Sequence, residues 1–422
     1  MNSREKICLQ CGTTYKVYDG YAEWCEFCDW NLNSNDEPEQ LDMYEKIVRK
    51  IGDKYSKKLF ATLMETDIEK YKHRNTLVAT TTVVMSLLVV LVWLSLVVSS
   101  VLLLLLFPNI FAILGSVMCL LLVIYLRPRF SKKPKDVITK QEMPALWEFV
   151  ESLNEKLGGK PIDYLVVNAD FNASMGYVGI QRKKVLTLGY PLVSLLSKQE
   201  FVDLVGHELA HNVNQDPARG FLHYYVFTNV WAWYYFLSPK GIMQGSDVNY
   251  IFKIASIPFY VLMWCASKTA LGFLFVYYWM IHYDSQKAEY YADYLGACMG
   301  GSEDSEKSLY KISYGLFLQY VQQQAVVAPN GKTIIQRLKE MIETIPEKEI
   351  LRLQKLATRK SSRVDSSHPP TTYRIEFVKK FAPKVGLFQL TQEHFHKICE
   401  ELAQQEEKIN IKLIDEYKWY IS

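Results

Sequence analysis

The sequence predicts an α+β, mostly helical fold with a small sheet, a transmembrane helical hairpin and a cysteine-rich ribbon at the N-terminal end. Three observations predict it. Between Arg74 and Arg127 lie 52 consecutive residues without Asp, Glu, Lys, Arg or His. Four of the eight cysteines fall within the first 28 residues as two Cys-x2-Cys pairs. Elsewhere apolar residues recur mostly at helical spacing, and only three short runs read as strands.

In chain order, the ribbon comes first, over residues 1–33. Cys8-Leu-Gln-Cys11 and Cys25-Glu-Phe-Cys28 form C-x2-C-x13-C-x2-C, the spacing of two knuckles that share one closed, tetrahedral, structural Zn2+. Redox-active pairs are the alternative; two matched pairs favour a shared metal. Clustered thiols fit a reducing compartment, and the leading MNSREKICLQ lacks the apolar core of a signal peptide. The 48 Lys plus Arg against 45 Asp plus Glu leave a net charge of only +3, and Lys16 is the single basic residue between the cysteine pairs. No nucleic-acid partner is expected from that balance, and a protein partner or substrate capture suits the ribbon better. Cys119, Cys265, Cys298 and Cys399 are scattered and read as core thiols.

Residues 34–76 open with the acidic linker SNDEPEQ and turn basic and helical, a spacer up to the membrane. The uncharged run over 77–126 would reach roughly 78 Å as one helix, against a bilayer core of about 30 Å. Two spans therefore fit, with the turn at Ser99-Ser100 or at Pro108-Asn109. Lys57, Lys58, Lys70, Lys72 and Arg74 flank it on one side, and Arg127, Arg129, Lys132, Lys133, Lys135 and Lys140 on the other. By the positive-inside rule both ends face the cytosol.

A larger domain is expected over 127–385. Pro144 to Leu157 has helical spacing and stops at Gly158-Gly159. Ile162 to Val167 and Lys184 to Leu188 read as strands, with Phe171 to Gly179 a third strand or extended edge. Ser197-Lys-Gln-Glu200 has the form of a capping box and starts a helix. The stretches 221–237 and 254–281 are apolar and aromatic but contain His223 and Lys268. Both membrane spans and packed helices fit them. From Ser302 the chain reads as helices and loops, closing with a helical segment over 386–422.

The capped helix carries His207-Glu208-Leu-Ala-His211. One turn apart on one face, the two imidazoles can converge on a single Zn2+, while Glu208 stands beside that face. The metal lowers the pKa of a water, and Glu208 takes the proton and returns it to a leaving amine. A third ligand is needed. Asn214 and Pro217 stand where a metzincin has Gly and His, and Asp216 would face away around the helix, suiting a helix-end role. Glu289, in Ser285-Gln-Lys-Ala-Glu-Tyr-Tyr-Ala-Asp293, is the remaining candidate. Asp293, one turn on, can hold a ring N–H of a ligating histidine.

His207-Glu-Leu-Ala-His211 with distant Glu289 and Asp293, the upstream Asn172-Ala173 strand, and Ser367-His368-Pro-Pro with Arg374 together resemble the HtpX and CaaX prenyl protease family of integral-membrane zinc peptidases. The resemblance runs from about Pro144 to Lys380. It implies a gluzincin-type peptidase domain with His207, His211 and Glu289 on a catalytic zinc, Glu208 as base and Asp293 behind a ligand. It also implies that Asn172 and Ala173 pair with substrate backbone, and that His368 and Arg374 reach the active site, candidates for stabilising the oxyanion. Gln286 replaces the family's usual Arg, and Ala210 a frequent Gly. The expected protein is a multi-pass, cytosol-facing zinc endopeptidase acting on misfolded or membrane-associated proteins, with lipid around its hairpin. Its alternative, a membrane-anchored non-catalytic zinc protein whose ribbon recruits a partner, would need a decayed motif, and no ligand or base position has decayed.

Overall fold

Two antiparallel strands, β1 (Ser3–Ile7) and β2 (Thr14–Tyr18), open the ribbon with Glu5 opposite Lys16, and the loops that follow bring Cys25 and Cys28 beside Cys8 and Cys11. The computed structural model describes residues 3–32, 43–66, 68, 76–107, 109–127, 132–179, 181–214, 221–238, 250–329, 331–359 and 368–421. The linker SNDEPEQ, Asp216 and Ser367 lie outside these. Helix α1 (Met43–Glu65) leads toward the apolar run, which forms α2 (Thr76–Leu106) and α3 (Ile110–Tyr125). The turn between them is the one at Asn109. Its side chain accepts the Ala112 N–H at 3.0 Å, which caps α3, whereas Ser99 and Ser100 lie inside α2.

The hairpin is apolar outside and polar inside. Leu87, Leu88, Leu91, Leu105 and Phe111 are exposed, while Thr82, Ser86, Ser100 and Ser116 are buried. Ser116 donates to the Ser100 carbonyl and Trp93 to the Val123 carbonyl, so these groups are satisfied between the helices. Among the described residues, two helical segments, 80–106 and 257–300, are long and apolar enough to cross a membrane. Helix α3, at 16 residues, is about 24 Å long and shorter than the span expected of it.

The sheet that follows has four strands: β3 (Val137–Ile138), β4 (Tyr164–Asn168), β5 (Ala173–Val178) and β6 (Lys183–Gly189). Their order is β3-β4-β6-β5, with β4 and β6 parallel, the other pairs antiparallel, and β5 at an edge. Helix α4 (Pro144–Lys156) precedes β4, and a short turn of helix, α5 (Tyr190–Val193), leads to α6 (Lys198–Asn214). The two aromatic stretches become α7 (Phe221–Leu237) and α8 (Tyr250–Gly300), the latter one unbroken helix of 51 residues. Then come α9 (Ser302–Lys311), α10 (Gly315–Val327), α11 (Ile334–Thr344), α12 (Glu347–Arg359), α13 (Thr371–Phe381), α14 (Gln392–Ala403) and α15 (Glu406–Ile421).

One core joins the sheet to α4, α6, α11, α14 and α15 through residues such as Phe149, Leu186, Val205, Leu338, Ile398 and Leu413. The Glu401 carboxylate on α14 accepts the Ala145 and Leu146 N–H groups at 2.8 and 2.9 Å, supplying the cap that the sequence around α4 lacks. Helix α1 braces the other side. Ser56 donates to Gln286 of α8 at 3.0 Å, and Phe60 stacks on Tyr373 of α13 at 4.4 Å. The ribbon is fastened by three cations on one face of α12. Lys348 bonds the Lys16 carbonyl and lies 4.4 Å from the Tyr15 ring centre, Arg352 bonds the Leu32 carbonyl at 3.1 Å, and Lys355 pairs with Asp29 at 2.7 Å.

The contact that positions the site is the crossing of α6 and α8. A Cβ on Gly296 would stand 2.8 Å from the Asp203 carbonyl oxygen and 3.0 Å from the His207 nitrogen, and one on Gly300 would stand 2.7 Å from the Gln199 carbonyl oxygen. Only glycine at both positions lets the two backbones touch. Gly296→Val should cost about 1–3 kcal/mol by forcing the helices apart. Thermal unfolding of the purified variant measures this, and an unchanged midpoint would show that the crossing is not tight.

Candidate metal centre

Helix α6 starts where the capping pattern places it. The Ser197 N–H donates to Glu200 at 2.6 Å, and Lys311 of α9 pairs with the same carboxylate at 2.7 Å. Phe201, Val202, Val205 and Leu209 turn into the core, which leaves His207, Glu208 and His211 facing α8 and β5. All three are buried, at 6%, 4% and 0% exposure.

The His207 and His211 Nε2 atoms are 3.3 Å apart. From α8, the Glu289 carboxylate reaches 3.6 Å from His207 Nε2 with one oxygen and 3.4 Å from His211 Nε2 with the other. A tetrahedral ion with ligands at about 2.0–2.1 Å sets its donors roughly 3.3–3.4 Å apart, so the three side chains are spaced to hold one Zn2+. Asp293, one turn beyond Glu289, takes the His207 Nδ1–H at 2.9 Å, which fixes the tautomer that directs Nε2 at the other two donors. Arg374 of α13 donates to Asp293 from Nε at 2.8 Å and from Nη2 at 2.6 Å, with both side chains buried. His368 Nδ1 lies 2.6 Å from Glu289 Oε2, and its ring is about half exposed at the mouth of the site. Glu208 stands to one side, its Oε1 3.9 Å from His207 Nε2 and its Oε2 accepting the Met175 N–H of β5 at 2.8 Å.

The same test applied to the ribbon gives Cys8 Sγ to Cys28 Sγ at 3.5 Å and Cys11 Sγ to Cys25 Sγ at 3.7 Å. Four thiolates about 2.3 Å from a tetrahedral zinc stand roughly 3.8 Å apart. Among the described residues, these four cysteines and the trio His207, His211 and Glu289 are the two groups that could hold a metal ion.

A profile of Peptidase family M48 matches residues 142–382. The chain belongs to that family. Its peptidases are zinc-dependent, in keeping with the donor set built by α6 and α8. The chain is also 24% identical over 241 residues to a protein named Protease HtpX homolog from Pyrobaculum calidifontis, a match covering 56% of this chain and 67% of that one. No solved structure shows a significant match.

The M48 portion thus brings together His207, Glu208, His211, Glu289, Asp293, His368 and Arg374, with Ala173 two residues from the Met175 N–H that meets Glu208. Asn172 stands on the β6 side of that strand, its carbonyl accepting the Gly189 N–H at 2.8 Å. Gln286, three residues before Glu289 on α8, is buried and accepts the Ser56 hydroxyl at 3.0 Å. Sequence reasoning did not single out Met175. It acts through its backbone, and the only signal for it is the alternation of β5, in which Ala173 and Met175 share the buried face.

Electrostatics favour positive charge at the site. Burial opposes a charge on His207, but the Asp293 and Glu289 carboxylates beside it prevail and raise its pKa to about 10. Arg374 is likewise raised by Asp293 against its own burial. A metal at Nε2 must displace the His207 proton, so uptake at pH 7 should release one proton at that ring. Apparent affinity should rise by about tenfold per pH unit from 7 toward 10. Calorimetry in buffers of different ionisation enthalpy measures the release, and zinc uptake without a proton would contradict it.

Proposed function

We propose that this M48 chain is an integral-membrane zinc endopeptidase that hydrolyses peptide bonds in misfolded or membrane-associated proteins. The observation that carries the reading is the convergence of His207, His211 and Glu289 beside Glu208 on the open edge of β5. Bound there, Zn2+ would polarise the attacking water and the scissile carbonyl.

The chain's own groups divide the remaining work. Glu208, oriented by the Met175 N–H, takes a proton from the attacking water and delivers it to the leaving amine. Because the Gly189 N–H bonds Asn172 on the inner side of β5, antiparallel alternation turns the backbone groups of Ala173, Met175 and Tyr177 outward. A substrate strand added along that edge lies against Glu208. His368 touches Glu289 through Nδ1, so Nε2, across the ring, is the atom assigned to the substrate oxyanion. Two of Arg374's donors are committed to Asp293. Its part is therefore to position Asp293 and, through it, His207.

Membrane residence is supported by the inside-out pattern of α2 and α3, since a soluble surface would not expose Leu87, Leu91, Leu105 and Phe111 together. Basic residues at both ends of the hairpin support a cytosolic side for the ribbon and peptidase domain, with Asn109 opposite. In the ribbon, a second Zn2+ on Cys8, Cys11, Cys25 and Cys28 is structural. It closes the fold that α12 grips.

Wild type should carry two zinc equivalents and cleave an unfolded protein. Glu208→Gln should keep both and cleave about 10²–10⁴-fold more slowly. If it cleaves at the wild-type rate, the assignment of the base is wrong. Glu289→Ala should retain only the ribbon zinc, and two equivalents in that variant would remove Glu289 from the ligand set. A cysteine at Asn109 should react with an impermeant reagent only from the non-cytosolic side; labelling from the cytosol alone would contradict the hairpin.

A further inference from the structure

The end of the hairpin and α7 enclose a small cavity away from the metal centre. It measures about 160 Å3 and lies between Tyr125 and Arg127, at the end of α3, and Tyr224, Thr228, Asn229 and Ala232, on one face of α7. Arg127 is the first charged residue after the 52 uncharged ones, so on the membrane reading the cavity sits where hydrocarbon gives way to headgroups. Tyr125 and Tyr224 flank it, 60% and 57% exposed, and tyrosine is enriched at that level of a bilayer.

Two polar groups of its lining have no partner. Arg127 is exposed, and its guanidinium makes no ion pair or hydrogen bond among the described residues. Asn229 is buried, at 5% exposure. Its Nδ2 donates to the Tyr225 carbonyl at 2.9 Å, which fixes the direction of the amide and leaves Oδ1 without a hydrogen-bond partner among the described residues. A buried acceptor in this state favours a ligand that brings it an N–H or O–H. Thr228 does not supply that donor, because its hydroxyl bonds the Tyr224 carbonyl within the helix.

An unpaired cation beside an unpaired acceptor calls for a ligand that carries both an anion and a donor. A phosphate diester suits the guanidinium by charge and by its two free oxygens. A headgroup that ends in ethanolamine or glycerol adds the N–H or O–H that Asn229 needs, whereas choline, whose nitrogen carries four carbons, offers none. The surroundings favour a lipid over a free phosphate ester. Leu121, one turn before Tyr125, and Phe236, one turn after Ala232, continue the two faces and are 62% and 63% exposed, so acyl chains would meet apolar walls there.

We propose that the cavity between the end of α3 and α7 binds the headgroup of a phospholipid that carries an N–H or O–H donor, with its phosphate on Arg127 and that donor on Asn229 Oδ1. This rests on the membrane residence proposed above. Helix α7 packs against α8 through Tyr225, Val226 and Val230, which meet Leu274 and Tyr277. A lipid held in the cavity therefore ties the hairpin to the helix that supplies Glu289.

The test uses the full-length protein in detergent and native mass spectrometry with dioctanoyl phosphatidylethanolamine, phosphatidylglycerol and phosphatidylcholine. Wild type should bind the first two about fivefold or more tighter than the third, and Asn229→Leu should reduce that preference to within about twofold. Arg127→Gln should weaken binding of the first two by about tenfold, while Lys132→Gln, on the same basic flank but outside the cavity, leaves it within about twofold. Equal binding of the three lipids by wild type would overturn the proposal, and so would equal losses in Arg127→Gln and Lys132→Gln, which show only general attraction to basic residues. Glycerophosphoethanolamine, the same headgroup without tails, should bind about tenfold or more weaker than its lipid. Equal binding of the two would assign the cavity to a free phosphate ester and refute the lipid. Should Asn229→Leu fail to fold, Arg127→Gln, which removes an exposed side chain without a partner, still decides. If wild type is recovered from the soluble fraction and stays monodisperse without detergent, the membrane reading fails by itself. The same lipids, titrated below their micelle concentrations, then decide the cavity by the same comparisons.

Discussion

The approach of α6 to α8 is the constraint on which the site depends. The donors His207 and His211 belong to one helix, and Glu289 and Asp293 to the other. They meet only because Gly296 and Gly300 let backbone lie on backbone. A side chain at either position would separate carboxylates from imidazoles by more than a hydrogen bond tolerates. Burial makes this contact costly as well as close. Two buried carboxylates and two buried imidazoles must be matched group for group, and Arg374 supplies balancing charge from a third helix. The centre is in that sense an electrostatic knot tied by three helices distant in sequence.

Much of this was legible in the sequence. The short β-branched and apolar runs, the stop at Gly158-Gly159 and the cap at Ser197 place α4, β4 to β6 and the start of α6 within a residue or two of where they lie. Spacing alone puts His207 and His211 on one face, and removing poorer candidates leaves Glu289. What the sequence withheld has physical reasons. Ser99-Ser100 and Pro108-Asn109 are both uncharged breaks, and only the side-chain cap from Asn109 decides between them. Strand β3 is two residues long, too short to show a period. Apolar and charged stretches around residues 254–293 look like two segments, yet no breaker separates them, so α8 runs through both.

The ribbon's seat was hidden for a different reason. Lys348, Arg352 and Lys355 read as one solvated face of an amphipathic helix, which is how such a stripe usually behaves. Here the stripe meets backbone carbonyls, an Asp and two aromatic rings. Nothing in the local pattern names the surface that will cover it. The same limit applies to His368 and Arg374, whose partners lie 79 and 81 residues away. A resemblance to known motifs pointed to them, but not to the carboxylates they touch.

Because α8 is continuous, its apolar stretch and the carboxylates Glu289 and Asp293 share one helix. Glu289 lies eight residues past Ile281, about 12 Å along the axis and a little over two turns. On the membrane reading proposed above, the helix would work as a ruler that sets the height of the metal site above the bilayer and the direction in which it faces. Adding a single residue between those positions would swing Glu289 by about 100° away from the histidines, whereas seven would return it to nearly the same bearing one storey higher. Selection on such a helix acts on its length in whole steps, so reach toward a substrate and orientation toward the metal cannot be tuned independently.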